Sequence, residues 1–359
     1  MRSTETYRHN LGLSKGIIES AELAADRQVK DYRHGNKSIT GDINVEMSFG
    51  SHDDFLEAVL EGTWTTPINL AVTANVAVGT FTRAAGSWIT DGMAAGQIVT
   101  VGGYVDAGNN GRFVVTAVTA LVLTVTPIEG QTMIAETGDG ETFKVHSNVR
   151  TGTTRRSFTL ERDFDDITQY LRFTGTNFST FAVNITQDAT GQIVSAVFGT
   201  LGKGQTTATA ALTGATYGAE TTTSPFDSYS GIIRDGGTNI AVVTTLSLNV
   251  DNGMSPLYVV GSDETLEPSQ QRSRLTGSMT VLFENTIVLD KFINETETTL
   301  QFSLVDLAGN QYMFYIPRVK YNSGQPDVTN EDPVTLSVDF VGLLDPVTGN
   351  NIVLERVPA

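Results

Sequence analysis

Apolar and polar residues alternate along much of this chain, at the period of a strand with one buried face. In the clearest run, 39–49, Ile43, Val45, Met47 and Phe49 share one face, and Asn44, Glu46 and Ser48 the other. The same alternation predicts strands over 157–160, 193–198, 244–250, 278–283, 300–304, 313–316 and 335–341. Helices are few. Residues 53–61 open with Asp53 and Asp54, place Phe55, Leu56, Val59 and Leu60 on one face, and run into Gly62 as a stop. A second short helix is predicted over 287–294, with Val288, Leu289, Phe292 and Ile293 spaced the same way.

These elements recur in one order. Thr40-Gly41, a strand and a helix through Phe55-Leu56 are echoed by Thr276-Gly277, a strand and a helix through Phe292-Ile293. Downstream, Ser157–Leu160 matches Gln301–Leu304, Gln169–Phe173 matches Tyr315–Val319, and Ile193–Gly199 matches Thr335–Gly342. Phe158 to Phe198 spans 40 residues and Phe302 to Phe340 spans 38, but Phe55 to Phe158 spans 103 where Phe292 to Phe302 spans 10. A duplicated domain whose first copy carries an insertion accounts for both the agreement and the break.

The expected architecture is therefore mainly β, with a duplicated β-sandwich or barrel domain and one short flanking helix per copy. Residues 1–64 and 151–201 form the first copy, 65–150 an inserted small β-barrel, 202–225 a linker, and 226–359 the second copy. Within the insertion, strands are expected over 81–83, 87–90, 97–101, 112–118 and 121–126, with Gly108-Asn109-Asn110-Gly111 as a tight turn between two of them. The Thr-, Ala- and Gly-rich run 202–225 reads as flexible.

Composition narrows the function. The absence of cysteine excludes disulfides, thiolate metal sites and thiol nucleophiles. A formal net charge of −17 excludes DNA binding through phosphate neutralisation, and suits either solubility or a surface that repels DNA. No apolar signal segment opens the chain, and no run approaches the ~20 apolar residues of a membrane span. Cytosolic synthesis and retention until release are expected, with no membrane partner.

The search for chemistry returns nothing. His9, His34, His52 and His146 lack helical metal-pair spacing, and there is no HExxH motif. Asp53-Asp54 and Asp165-Asp166 are adjacent carboxylates that point in different directions, and the first pair suits a helix N-terminus. Gly199–Gly204 resembles a phosphate loop but has Val197 and Gly204 where that motif needs Gly and Ser or Thr, so a turn into the linker is expected. No Gly-x-Ser-x-Gly elbow occurs, and the sequons at Asn177, Asn184 and Asn294 lack a secretory context. No catalytic, cofactor-binding or metal residue is nominated, and no cofactor is expected.

Asp26–Val29, Gly35–Ile43, Ser48–Gly50, Asp53–Ala58 and Gly152–Arg162 resemble the first half of tail tube proteins of siphophages, bacteriophages with long non-contractile tails. In the second half, Asp251–Gly253, Val259–Ser262, Phe292–Glu297, Asp306–Asn310 and Pro317–Tyr321 resemble the same family. Together these motifs cover nearly the whole chain outside the insertion. The insertion is similar to a small β module of phage structural proteins through Asp91-Gly92, Gly96–Val101 and Asn109–Phe113. Relatives carry an N-terminal arm, whereas here the first strand is expected within about fifteen residues of Met1.

The resemblance implies a structural virion protein, not an enzyme, whose inner sheets join between neighbours into a barrel around a lumen. Rings of this kind stack into the tube that conducts the genome into the bacterial host. Implied partners are further copies of the chain, the tape measure protein, the tail terminator and tail-tip or baseplate proteins, with DNA passing unbound. Family rings hold six sandwiches, so a chain supplying two implies trimeric rings with pseudo-six-fold symmetry. The insertion is expected outside the tube and separable from assembly. The lumen is expected to be net negative, with Asp42 and Glu46 among its carboxylates. The alternative is a β-rich tail-tip adhesin or capsid decoration protein, which explains the β content but not the duplication. A depolymerase would need a His or carboxylate constellation that is missing.

Overall fold

The computed structural model describes residues 8–21, 28–29, 31–164, 166–187, 190–215, 221–240, 242–327 and 333–359. The first half opens with β1 (Arg8–His9), β2 (Gly12–Glu19), β3 (Tyr32–Glu46) and helix α1 (Asp53–Leu60). Seven strands follow: β4 (Ile68–Val72), β5 (Ala74–Ala77), β6 (Thr80–Arg83), β7 (Ile98–Gly102), β8 (Gly111–Val118), β9 (Val122–Pro127) and β10 (Glu141–Val145). The chain returns through β11 (Ser147–Arg150), β12 (Phe158–Phe164), β13 (Gln169–Thr186), β14 (Ser195–Gly202) and β15 (Gly204–Ala208). The second half begins with β16 (Ile233–Asp235), β17 (Thr238–Asn239), β18 (Val243–Asp251), β19 (Arg274–Leu282) and helix α2 (Ile287–Ile293). It ends with β20 (Thr298–Val305), β21 (Gln311–Tyr321), β22 (Gln325–Asp327), β23 (Thr335–Gly342) and β24 (Val353–Val357).

One antiparallel sheet runs through both halves in the order β2-β3-β14-β13-β18-β19-β23-β22. Its halves meet at β13 and β18, paired from Thr180↔Asp251 to Thr186↔Thr245. Alternation gives this sheet an apolar face: Ile43, Val45, Phe198, Phe181, Val183, Leu246, Leu248, Leu275, Met279 and Val338 are all buried. A second layer, β11-β24-β21-β20-β16, covers that face. Phe302 and Phe314 of this layer stack at 4.6 Å, and Phe314 stacks on Phe181 of the first half at 6.5 Å. Residues of both halves and of α1 belong to a single buried cluster. The halves share one core.

Both helices form where the spacing predicts. The stop of α1 differs: Glu61, not Gly62, takes the left-handed conformation (φ 52°). Gly62 is needed for another reason, because a Cβ there would lie 2.2 Å from the Arg150 carbonyl oxygen. The strand–helix–hairpin–strand order also occurs twice, but the two ladders differ in register. Gly41 faces Thr200 while Gly277 faces Phe340, so the motif match of Phe198 with Phe340 is two residues out of step with the pairing. Such a shift leaves every side chain on its own face.

Residues 68–145 form a sheet in the order β4-β10-β7-β8-β9-β6-β5 around Phe81, Trp88, Phe113 and Phe143. Residues 87–90 are a turn and not a strand. Trp88 supplies a buried ring there, its backbone N–H bonded to the Ala120 carbonyl and its Nε1 to that of Leu121. Gly108–Gly111 is no two-residue hairpin: a 3-10 turn at Ala107–Asn109 enters β8, and buried Asn109 donates to Glu136 (2.7 Å). Strands β4, β5 and β10 are additional to those expected; β5 is too short and Ala-rich to signal.

The run 202–225 is ordered where it is described. β15 pairs with β13, the Thr223 hydroxyl donates to the Phe49 carbonyl, and Pro225 bridges Ser48. Gly199–Gly202 is strand, which corrects the expected turn; Asp165 lies outside the described residues.

A shared core predicts shared unfolding. Phe314→Ala should cost about 3–5 kcal/mol in urea denaturation and weaken both halves together. Hydrogen exchange that accelerates in β20 and β21 while β3 and β14 keep full protection would contradict this.

Candidate functional surface

The long sheet turns its other face away from the core. β3 contributes Asp42, Asn44 and Glu46, all exposed, and register sets Asp42 opposite Gly199 and Glu46 opposite Ser195. Following the ladder, the same face carries Thr180 and Asn184 of β13, Ser247, Asn249 and Asp251 of β18, Thr276 and Ser278 of β19, and Ser337 and Asp339 of β23. Hydroxyls pair across strands: Ser247 with Ser278 and Thr280 with Ser337, both at 2.9 Å. Arg274, a cation on these strands, sits directly opposite Asp251. At the margin Lys320, opposite Val341, reaches Glu295 at 3.9 Å. Asp42, Glu46 and Asp339 have no cation opposite them in the ladder. From Asp42 across to Asp339 the result is a hydroxyl-rich face with excess negative charge, and the cations of this sheet's first two strands, Lys15, Arg33 and Lys37, lie beyond it on the β2–β3 ribbon.

The seam between the halves is organised by Tyr312. Its hydroxyl donates to Asp53 Oδ1 at 2.5 Å and accepts the Gly50 N–H at 2.9 Å. Phe49, Trp64 and Phe226 pack around the ring, with centroids 5.5, 6.4 and 5.4 Å away. Burial, with the Asp53 charge, pushes the phenol well above its ordinary value, so it keeps the proton it donates. Asp53 also pairs with Arg356, whose guanidinium lies over Trp64. Asp53 thus opens α1 as its sequence position suggests, and in addition ties α1 to the second half.

The four histidines lie apart. His9 meets Arg162, His34 packs edge-on to Tyr32, His52 is buried at the start of α1, and His146 follows β10. Among the described residues, no group of three or more His, Asp or Glu could hold a metal ion. No described helix is long and apolar enough to cross a membrane, which says nothing of crossing by strands.

Residues 2–342 match the family described as phage tail tube protein. This chain belongs to that family. It is a structural, β-rich protein of the phage tail, and the acidic face is a surface of a tail tube protein. No curated protein matches the chain. Solved structures do, among them one titled Phage phi92 endosialidase, at 10% identity and a TM-score of 0.16. That alignment covers 93% of this chain, and this chain spans 57% of the length of that structure. Similarity at that level carries no argument about activity.

Sequence reasoning placed Asp42 and Glu46 on a polar face but did not join Asp251 and Asp339 to it. The alternation in 244–250 and 335–341 held the signal; the register that aligns the faces did not show. A buried charged group was also missed. The Glu355 side chain is fully buried, has no hydrogen bond to either carboxyl oxygen, and lies 3.8 Å from Arg112 Nε. Burial pushes its carboxyl from 4.5 up to about 7, against the pull of Arg112 and Arg150. Nearby, burial holds the His146 imidazole down, from 6.5 to about 4.

A raised carboxyl favours the folded state most when protonated, so the Glu355 contribution is present below pH 4.5 and lost as pH rises through about 7. His146 acts oppositely, losing stability as pH falls from 6.5 towards 4. Glu355→Gln should therefore gain stability relative to the parent by about 3 kcal/mol between pH 4.5 and pH 8. Urea midpoints at both pH values check this; a difference that does not change with pH would show that Glu355 ionises as in water.

Proposed function

We propose that this tail tube protein polymerises into stacked rings of three chains, whose joined long sheets enclose the conduit for the phage genome. The carrying observation is an unfinished ladder. β18 pairs with β19 on one side and β13 on the other. β1 and the first residues of β2 stand to β3 as β18 stands to β19, yet among the described residues their outer side carries no strand. At the other end, β22 stands to β23 as β13 stands to β14, again with an open side among the described residues. Pairing β2 of one chain with β22 of the next repeats the internal joint and satisfies both edges. Each chain has one edge of each kind, so the contact is heterologous, and it gives a ring when the rotation per chain is one third of a turn.

In this reading the duplication is real: 1–64 with 151–201 is one copy and 226–359 the other, with 65–150 inserted and 202–225 between them. Six sandwiches per ring, as the resemblance implies, then require three chains. The acidic face lines the lumen, because the other face of the long sheet is buried in the core. The inserted sheet lies on the tube exterior. It contacts Met313, Tyr315 and Val353, which alternate with the core-facing Phe314, Ile316 and Leu354 of the second layer. Stacking uses the β2–β3 ribbon, which extends past the sheet with Ile17 and Ile18 more than half exposed. A two-stranded ribbon of that kind needs a partner surface. Tape measure, terminator and tail-tip proteins complete the tail, assembly takes place in the host cytoplasm, and no step is enzymatic.

Averaged electron micrographs of assembled protein should show three-fold rings with three external knobs; six knobs, or discrete particles without rings, would overturn the reading. Charge reversal tests the lumen separately. Asp42→Lys combined with Glu46→Lys should leave tubes intact but make them retain DNA in a salt-dependent way, with roughly a ten-fold loss of retention as salt rises from 50 to 200 mM. Unchanged DNA behaviour in intact tubes would move these residues out of the channel.

A further inference from the structure

The inserted sheet leaves and re-enters the chain in the first half but docks on the second. Its base is closed by Thr65 and Asn148, with the Thr65 N–H donating to the Asn148 carbonyl (2.9 Å) and the Asn148 N–H to Thr65 Oγ1 (3.1 Å). The return strand β11 pairs with β24, the last strand of the second half. Beside it, Ile98, Val114 and Ile128 form a buried cluster with Met313, Tyr315 and Val353. Glu129 accepts from Arg112 of its own sheet (3.0 Å) and from two groups of the second half, Arg234 (3.2 Å) and Gln301 (3.3 Å). The backbones also meet closely, since a Cβ on Gly237 would lie 2.8 Å from the Gly130 nitrogen.

We propose that the inserted sheet is a clasp that locks the second half to the first and protects the β13–β18 joint from opening. Two features separate a clasp from an ornament. The contact is apolar at its centre, and at its rim the half-buried Glu129 is shared between Arg112 of the insert and Arg234 and Gln301 of the second half, so parting the two sides takes Glu129 away from Arg234 and Gln301. The contact also bridges the halves on the opposite face of β21 from Phe314, which stacks on Phe181 of the β13–β18 joint, so the two attachments reinforce each other. The inference concerns the single chain and stands apart from ring assembly.

Hydrogen exchange on the unassembled full-length chain tests it. Val114→Asp places a charge against Met313, Tyr315 and Val353 without touching the insert's own core. Amides of β11 and β24 should exchange at least ten-fold faster, and those of β13 and β18 at least three-fold faster, while β6 and β10 stay protected. A sheet that merely covers its neighbour would accelerate β11 and β24 alone; unchanged exchange at β13 and β18 overturns the clasp. Should β6 and β10 also lose protection, a chain lacking 66–146, with Thr65 joined to Ser147 through a short Gly-Ser bridge, decides the matter. Faster exchange at β13 and β18 in that chain supports the clasp, and unchanged exchange there refutes it.

Discussion

Between Thr180 and Thr186 the backbone of the first half meets its hydrogen-bond partners on Asp251 through Thr245 of the second half. Buried amides and carbonyls left unpaired are costly, so a strand as central as β13 needs neighbours on both sides. β14 supplies one and β18 the other. That pairing merges two half-sandwiches into one sheet, and the merged sheet has one continuous apolar face for a second layer to cover. The shared core, the stacking of Phe181 on Phe314 and the common polar face all follow from it.

The same demand for backbone partners bears on the two outer strands of the long sheet, β2 and β22, each paired on one side among the described residues. An edge strand invites pairing with another chain, and natural proteins usually blunt it. Here β2 carries Ile17 and Ile18 into solvent on a ribbon instead. Edges kept open suit a protein whose partners are further copies of itself, and they remove the need for the disulfides that a cysteine-free chain cannot form.

Charge is sorted by depth. On the polar face from Asp42 across to Asp339 it is exposed, mostly acidic and interleaved with hydroxyls that pair with one another, while the basic residues Lys15, Arg33 and Lys37 lie out on the β2–β3 ribbon. Under the inserted sheet it is wholly or largely withdrawn from solvent, with Glu129 between Arg112 of its own sheet and Arg234 of the second half, and Glu355 beside Arg112. Exposed charges of the first kind act through long-range repulsion and are weakened by salt, whereas the buried ones act at contact distance and are weakly screened. Asp53 belongs to the second kind, because its two oxygens serve Tyr312 and Arg356 across the seam.

The sequence by itself determined which residues form strands and which side of each strand is apolar, because alternation is a local property set by the two-residue period of the backbone. It also determined both helices, through apolar spacing and first-turn acids, and the family, through motifs that keep their residue types. Tertiary structure decided everything that depends on which strand lies beside which. Trp88 and Ile89 read locally as strand, yet the Ala120 and Leu121 carbonyls hold that segment in a turn. Gly41 and Gly277 sit in equivalent motifs but face different partners, because side-chain packing across the ladder, not the motif, selects register. Asp251 joins Asp42 and Glu46 only through three successive strand pairings, and Asp339 only through five. The inserted sheet docks on the half it is not sequence-adjacent to, because Met313, Tyr315 and Val353 offer the apolar surface that covers Ile98, Val114 and Ile128. Such contacts join residues hundreds of positions apart, and no local pattern encodes them.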